Sequence, residues 1–368
     1  MKKIALALHR GVGILVGVLV SLLCLTGAMM LFEDELRELA SPKLYFSTPP
    51  GEDIVPIELS DLAQSLTLHT LGEEKQNAVS GITIPSEKGR NYIAHLERGE
   101  EMLYVNPYTG EIVGRRTKRD GFFGGVMRLH RWLLDGSKSW GKAIVGYGTL
   151  GFLLVLLSGL IVWLPKGRKA LKPSLTVKTT ASRQRLLYDL HRSLGIYVLI
   201  PLLVMAITGL NWSFPWWRSG LYGIFGTEYP QKKGQPSAEG EAELPTIDYA
   251  QWTTVARQLK VQYPESRSIR VGNGKAEVSV CGFFGNPRAV DKVTFDPSSG
   301  EITKITPYAE ENRGQRVRGW IYALHTGSWG GWLSKLLTLI VVLIGATLPW
   351  TGMYIMNRKK TTKSSRHS

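Results

Sequence analysis

Of the seven histidines in this 368-residue chain, four share a setting. His9, His130, His191 and His325 each follow a leucine, and the first three precede an arginine: Arg10, Arg131 and Arg192. A neutral imidazole is a good ligand for haem iron, and a guanidinium suits a carboxylate or propionate. No Cys, Asp or Glu stands directly beside these histidines to complete a zinc or copper set. The same residues also suit a plainer role, since a His-Arg pair at a membrane boundary serves as an interfacial anchor. His69, His95 and His367 lie in polar segments and read as surface residues.

The elements that hold the four histidines are apolar. Gly11–Phe32, Ala143–Leu164, Ser193–Trp217 and Leu336–Asn357 contain no charged side chain, and each is 22 residues or longer. About 20 apolar residues cross a hydrocarbon layer, so a wholly soluble fold is excluded and four transmembrane helices are expected. The first run is too long for the apolar core of a secretory signal, about 7–15 residues, and ends at Met29, Met30, Leu31 and Phe32 without small residues for cleavage. It reads as a retained helix.

The formal charge of +15 is bunched beside these runs. Residues 1–10 carry Lys2, Lys3 and Arg10. Residues 165–192 carry eight Lys and Arg against Asp189 alone, and Arg358, Lys359, Lys360, Lys363 and Arg366 follow the last run. The rest of the chain is balanced. Short basic segments stay in the cytoplasm, so both termini and the 165–192 loop are expected inside a bacterial inner (cytoplasmic) membrane, with two periplasmic segments outside. Nucleic-acid binding is then not needed to explain the high pI. Cys24 falls in the first run and Cys281 in the second outer segment, so no disulfide is expected.

The chain repeats itself. At an offset of 182, Leu8-His9-Arg10, Gly13-Ile14, Val16 and Thr26-Gly27 meet Leu190-His191-Arg192, Gly195-Ile196, Val198 and Thr208-Gly209. More loosely, Leu129-His130 matches Leu324-His325, Ser139-Trp140-Gly141 matches Ser328-Trp329-Gly330, and Ser158-Gly159 matches Thr351-Gly352. Two parallel copies of helix, outer domain, helix imply a pseudo-twofold axis along the membrane normal. That symmetry offers two pairs, His9 with His191 at the inner face and His130 with His325 at the outer face. Each pair can supply both axial ligands of one haem. A flat macrocycle needs small residues beside it, and Gly11, Gly13, Gly17 and Gly195 are placed for the inner pair. Thr26-Gly27 and Thr208-Gly209 lie eighteen residues past their histidines, roughly 27 Å along a helix, and so reach the level of the outer pair; Ser158-Gly159 and Thr351-Gly352 end near the inner face. Such pairs also serve as close helix contacts.

The outer segments repeat as well. Tyr104–Ile112 and Thr294–Ile302 each read strand, Pro/Gly turn, strand. Helical patterns at Ile57–Leu68 and Tyr249–Tyr263 precede them, with strands such as Ala276–Val280 between, so each segment is expected to be a small α+β unit. Neither shows a nucleophile–base pair, a Cys/His cluster or a phosphate loop. The Gly11-x-Gly13-x-x-x-Gly17 run lies within a span with no strand before it and is no dinucleotide site. The expected layout is transmembrane helix 1 (1–32), outer domain 1 (33–121), outer-face helix and transmembrane helix 2 (122–165), basic loop (166–189), transmembrane helix 3 (190–217), outer domain 2 (218–317), outer-face helix and transmembrane helix 4 (318–357), and basic tail (358–368). Gly136 and Gly327 favour breaks after the outer-face helices.

The four histidine motifs with their Thr-Gly and Ser-Gly pairs, together with Asn106-Pro-Tyr-Thr-Gly110-Glu-Ile and Asp296-Pro-Ser-Ser-Gly300-Glu-Ile, resemble the PepSY-associated transmembrane helix family over essentially the whole chain. The resemblance implies PepSY-like outer domains, two bis-histidine b haems on His9/His191 and His130/His325, and a di-haem reductase that releases iron from ferric siderophores in the periplasm. Thr326 stands where the other three copies have arginine, so the outer propionate contact is not symmetric. Some relatives carry a fused flavin- and nucleotide-binding module; this chain has none, and its electron donor is unnamed. Two other functions fit a membrane protein of this plan: a non-redox sensor or protease-regulating module, and a siderophore permease component. The spans offer the permease only Asn211 as an amide.

Overall fold

The computed structural model describes residues 1–51, 54–72, 77–117, 120–230, 247–280, 282 and 284–364. Cys281, Arg366 and His367 lie outside the described residues. In chain order the elements are α1 (Lys2–Met30), α2 (Glu33–Ala40), α3 (Pro42–Tyr45), α4 (Leu59–Leu71), β1 (Val79–Pro85), β2 (Tyr92–Leu96), β3 (Glu101–Val105), β4 (Ile112–Thr117), α5 (Gly121–Trp132), α6 (Trp140–Trp163), α7 (Leu171–Leu175), α8 (Arg183–Ser213), α9 (Pro215–Ile224), α10 (Trp252–Gln262), β5 (Ser268–Gly272), β6 (Lys275–Ser279), β7 (Val290–Phe295), β8 (Ile302–Thr306), α11 (Arg313–Thr326) and α12 (Gly331–Ser364). They form two units.

The first unit holds Met1–Phe32, Gly121–Tyr229 and Trp320–Ser368. Four of its helices are long and apolar enough to cross a membrane: Lys2–Met30, Trp140–Trp163, Arg183–Ser213 and Gly331–Asn357. Each begins before its charge-free stretch, because backbone hydrogen bonding does not stop at the first charge, whereas α8 ends at Ser213, four residues short of Trp217, and Pro215 opens α9. α8 therefore begins at Arg183, inside the segment expected to be a loop, and α7 folds within that same segment. Pro201 and Pro349 lie inside α8 and α12 without ending them. α1 and α8 each pack against α6 and α12, so α1 and α8 occupy opposite corners of the bundle. Lys2 Nζ donates to the carbonyl of Leu164, tying the start of α1 to the end of α6. The interior between the corners is filled by Val16, Val20, Cys24, Leu199, Leu202, Ala206, Val342 and Ala346. The expected breaks are present: Leu133 and Leu134 adopt φ of 51° and 68° after α5, and Gly327 adopts 63° after α11.

The second unit holds Glu33–Asp120 and Pro230–Gly319. Its strands form one antiparallel eight-stranded sheet in the order β4-β3-β2-β1-β5-β6-β7-β8. The two chain segments, read from sequence as separate α+β units, thus pool their strands through the β1–β5 ladder, which pairs Gly81 with Gly272 and Pro85 with Ser268. This pairing is long-range, and local patterning carries no sign of it. Period-2 alternation buries Ile82, Ala94, Leu103, Val271, Ala276 and Val293 on one sheet face, where α4 and α10 supply Leu62, Leu66, Trp252, Val255 and Leu259. Each such fully buried large apolar side chain contributes about 1.5–3 kcal/mol. Ser60 and Thr253 cross-link the two helices reciprocally, Ser60 N–H donating to Thr253 Oγ1 at 3.0 Å and Thr253 N–H to Ser60 Oγ at 3.2 Å.

The two expected strand–turn–strand motifs have matching geometry. Asn106 and Asp296 each cap the turn through Oδ1, accepting from Tyr108 N at 2.9 Å and Ser298 N at 2.8 Å. Gly110 and Gly300 close the turns at φ +74°, a conformation that favours glycine. α4 starts two residues later than the sequence pattern suggests because Glu58 is extended, with ψ 134°, while the Ile57 N–H is held by Pro107 O at 2.8 Å.

Candidate functional site

The four histidines named from the sequence meet as two pairs within the first unit. His9 on α1 and His191 on α8 face each other from opposite corners of the bundle with ring centroids 6.1 Å apart and planes at 79°. The rings of His130 on α5 and His325 on α11 lie 6.3 Å apart, with planes at 68°. All four are half-buried.

Each imidazole is seated by a different helix. The Nδ1 atoms of His130, His191 and His325 meet the hydroxyls of Thr26 at 2.9 Å, Thr351 at 2.9 Å and Thr208 at 3.2 Å. Those hydroxyls donate to carbonyls of their own helix, Leu22 O, Leu348 O and Val204 O, and therefore accept from the histidines. His9 Nδ1 donates to Val155 O at 3.0 Å, and His325 Nδ1 also to Met205 O at 3.1 Å. Val155 and Met205 each stand three residues before the Ser or Thr of a Ser-Gly or Thr-Gly pair, Ser158 and Thr208. A carbonyl can only accept, so Nδ1 carries the proton and Nε2 keeps its lone pair, the state in which imidazole ligates a metal.

The glycine of each pair makes room for the ring. A Cβ on Gly159 would lie 3.0 Å from His9 Cε1, on Gly209 3.1 Å from His325 Cε1, on Gly352 3.2 Å from His191 Cε1, and on Gly27 3.6 Å from His130 Cε1. The Ser/Thr-Gly pairs therefore seat histidines from neighbouring helices. The sequence places them at the right level without showing this job, which a shared spacing from the histidines does not encode. Gly17 is a helix contact, its Cβ position 3.0 Å from Pro349 Cβ, rather than a wall of the histidine site. Gly13 and Gly195, each one turn beyond a histidine of the His9/His191 pair, have open space, with the nearest atoms, Val155 Cγ2 and Leu348 Cδ2, at 4.0 Å; Gly11 has nothing within 4 Å.

The arginines are placed less uniformly. Arg192 donates through Nη2 to Ser174 Oγ, a fully buried residue of α7 whose carbonyl also accepts from Trp163 Nε1 and Ser193 Oγ. Arg131 lies over the Trp132 ring at 5.0 Å. Arg10 is half-buried beside His9. Thr326 turns back onto Tyr322 O at 3.0 Å and Ser328 Oγ at 2.8 Å, a helix-end role in place of an arginine. Asp189 is 1% exposed and paired with Arg185 at 3.0 Å. Trp212, which the sequence does not single out, packs on His325 with centroids 5.0 Å apart.

The spacing of each pair leaves room for one metal ion between its rings. Two metal–nitrogen bonds of about 2.0–2.1 Å in line, with ring nitrogens about 1.15 Å from their centroids, would put the centroids about 6.3–6.5 Å apart. The His130/His325 spacing of 6.3 Å meets this range, and the His9/His191 spacing of 6.1 Å falls just below it, within the roughly 0.2 Å tolerance of each metal–ligand bond. Among the described residues no cluster of three or more His, Cys, Asp or Glu is present, and each pair offers two imidazole nitrogens. His9 with His191, and His130 with His325, would be the residues that hold a haem, which brings its own nitrogen donors.

Fold and site together define a membrane protein of four long apolar helices with two opposed imidazole pairs and a separate sheet unit. The chain belongs to the PepSY-associated TM region family, whose pattern matches residues 6–359. Comparison with curated proteins gives no match.

Proposed function

We propose that the protein is a di-haem electron carrier of the bacterial inner membrane, built from two parallel repeats. The single observation that carries this reading is the centroid spacing of the two histidine pairs, 6.1 and 6.3 Å, with Nδ1 protons engaged and Nε2 atoms free to ligate. His9 and His191 hold one haem b, and His130 and His325 hold the other. When bound, such haems supply one-electron redox chemistry. The chain's own part is to fix the ligand tautomers through Thr26, Thr208, Thr351 and Val155 O, to keep water out with the aliphatic interior, and to set the spacing. His9 and Thr26, which seats His130, are separated along α1 by about 25 Å, close to the thickness of a hydrocarbon core.

The basic 165–192 segment and tail set the His9/His191 end toward the cytoplasm, where an unidentified donor delivers electrons. The His130/His325 end and the sheet unit then face the periplasm, where the acceptor is a ferric siderophore. Reduction frees the iron because ferrous ion binds hard oxygen ligands more weakly than ferric ion. Arg10, beside His9, and Arg131, over the Trp132 ring, are the residues that would meet propionates; Arg192 is engaged with Ser174. The test is an absorption spectrum of the detergent-purified protein from cells supplied with haem. A Soret band and reduced α-band of low-spin bis-imidazole haem, bleached by a ferric siderophore after reduction, is the expected result. Their absence would transfer the protein to the sensor reading.

A further inference from the structure

The four histidines are seated alike, yet one has an extra neighbour. His9, His191 and His130 make their described ring contacts with their pair partners alone, whereas His325 also carries the Trp212 ring at 5.0 Å, tilted by 59°. At the repeat offset of 182, the residue matching Trp212 is Met30, so this ring has no aromatic counterpart beside His130. Trp212 sits at the end of α8, one turn past Thr208, whose hydroxyl meets the same imidazole. Beside it stands Asn211, 4% exposed.

An indole against an axial ligand removes water from that side of the site. Ferric bis-imidazole haem carries one more positive charge than the ferrous form, and a dry surrounding disfavours the more charged state. Each pair also has an arginine in reach, Arg10 for His9 and Arg131 for both His130 and His325, so the contribution of the indole is read by changing Trp212 alone. We propose that Trp212 makes His130/His325 the higher-potential site and so sets electron flow from His9/His191 toward it. Trp212 is a positioning and shielding residue and takes no electron itself. This inference rests on the di-haem reading.

The experiment is a redox titration of the haem-loaded full chain, followed by haem absorbance, in wild type, Trp212→Phe and Trp212→Ala. Each is also placed in a His9→Ala background, so that the His130/His325 haem is read alone. At a fixed potential near the midpoint, Trp212→Ala is expected to lower the ferrous:ferric ratio of that haem at least tenfold, equivalent to about 59 mV for one electron. Trp212→Phe stays within about twofold of wild type, which guards against a change caused by misfolding. An unchanged ratio in Trp212→Ala, or a shift confined to the other haem, overturns the proposal while leaving the di-haem reading intact. Absence of haem from the wild-type protein overturns that reading instead.

Discussion

Adding one methyl group to each seating glycine in turn should sort the four histidines by how tightly they are held. In Gly159→Ala the new Cβ stands 3.0 Å from His9 Cε1 and 3.2 Å from its Nδ1. Carbon contacts settle at about 3.5–4.0 Å, so the ring must retreat by about 0.5 Å. Such overpacking costs about 1–3 kcal/mol. The retreat also exceeds the roughly 0.2 Å tolerance of a metal–nitrogen bond. In Gly27→Ala the same atom stands 3.6 Å from His130 Cε1, an ordinary contact that demands no movement. Haem titrated into the apoprotein and followed by absorbance should show the His9/His191 site weakened at least tenfold in Gly159→Ala, about 1.4 kcal/mol, and the His130/His325 site unchanged in Gly27→Ala. Gly209→Ala and Gly352→Ala, at 3.1 and 3.2 Å, should behave like Gly159→Ala. Equal effects at Gly27 and Gly159, or the reverse order, would refute the reasoning that these glycines are seats for the rings.

Other expectations are as direct. Thr351→Val keeps the shape of the side chain but removes the acceptor at His191 Nδ1; haem affinity at that site should fall about 10–100-fold, as for other groups that orient a metal ligand, while Thr351→Ser retains it. Ser60→Ala and Thr253→Ala should each cost the sheet unit about 1 kcal/mol in thermal or denaturant unfolding, and the double variant less than the sum, because each hydroxyl serves the other's backbone. Burial pushes the Tyr104 phenol up to about 12. Its folded value lies above its unfolded one, so its stabilisation is whole below pH about 10 and is lost as pH rises toward 12. Tyr104→Phe should flatten that alkaline loss, and an unchanged slope in pH-dependent unfolding would count against the burial argument.

Much of this architecture is legible in the sequence because it is written locally. Charge-free runs of 22 or more residues set the spans, and the Leu-His pattern at symmetry-related positions sets the pairs. The turns at Asn106–Gly110 and Asp296–Gly300 are likewise local, needing an Asx cap and a glycine at positive φ. What the sequence hides is whatever depends on elements distant in the chain. The β1–β5 ladder fuses two segments into one sheet, the Ser/Thr-Gly pairs serve histidines of other helices, and Trp212 reaches His325 from 113 residues away. The start of α8 at Arg183 is hidden for a different reason: a basic segment reads as a loop until Ser174 is seen holding Arg192 and Ser193 against it.

The central claim is the pairing of imidazoles across the bundle, and counting haem in single-histidine variants tests it most directly. The expected result is two haems per chain in the wild type, the same haem lost in His9→Ala and His191→Ala and the other in His130→Ala and His325→Ala, each variant keeping about half of the Soret absorbance. Loss of one and the same haem in His9→Ala and His130→Ala, or full haem content in any of the four, would contradict it.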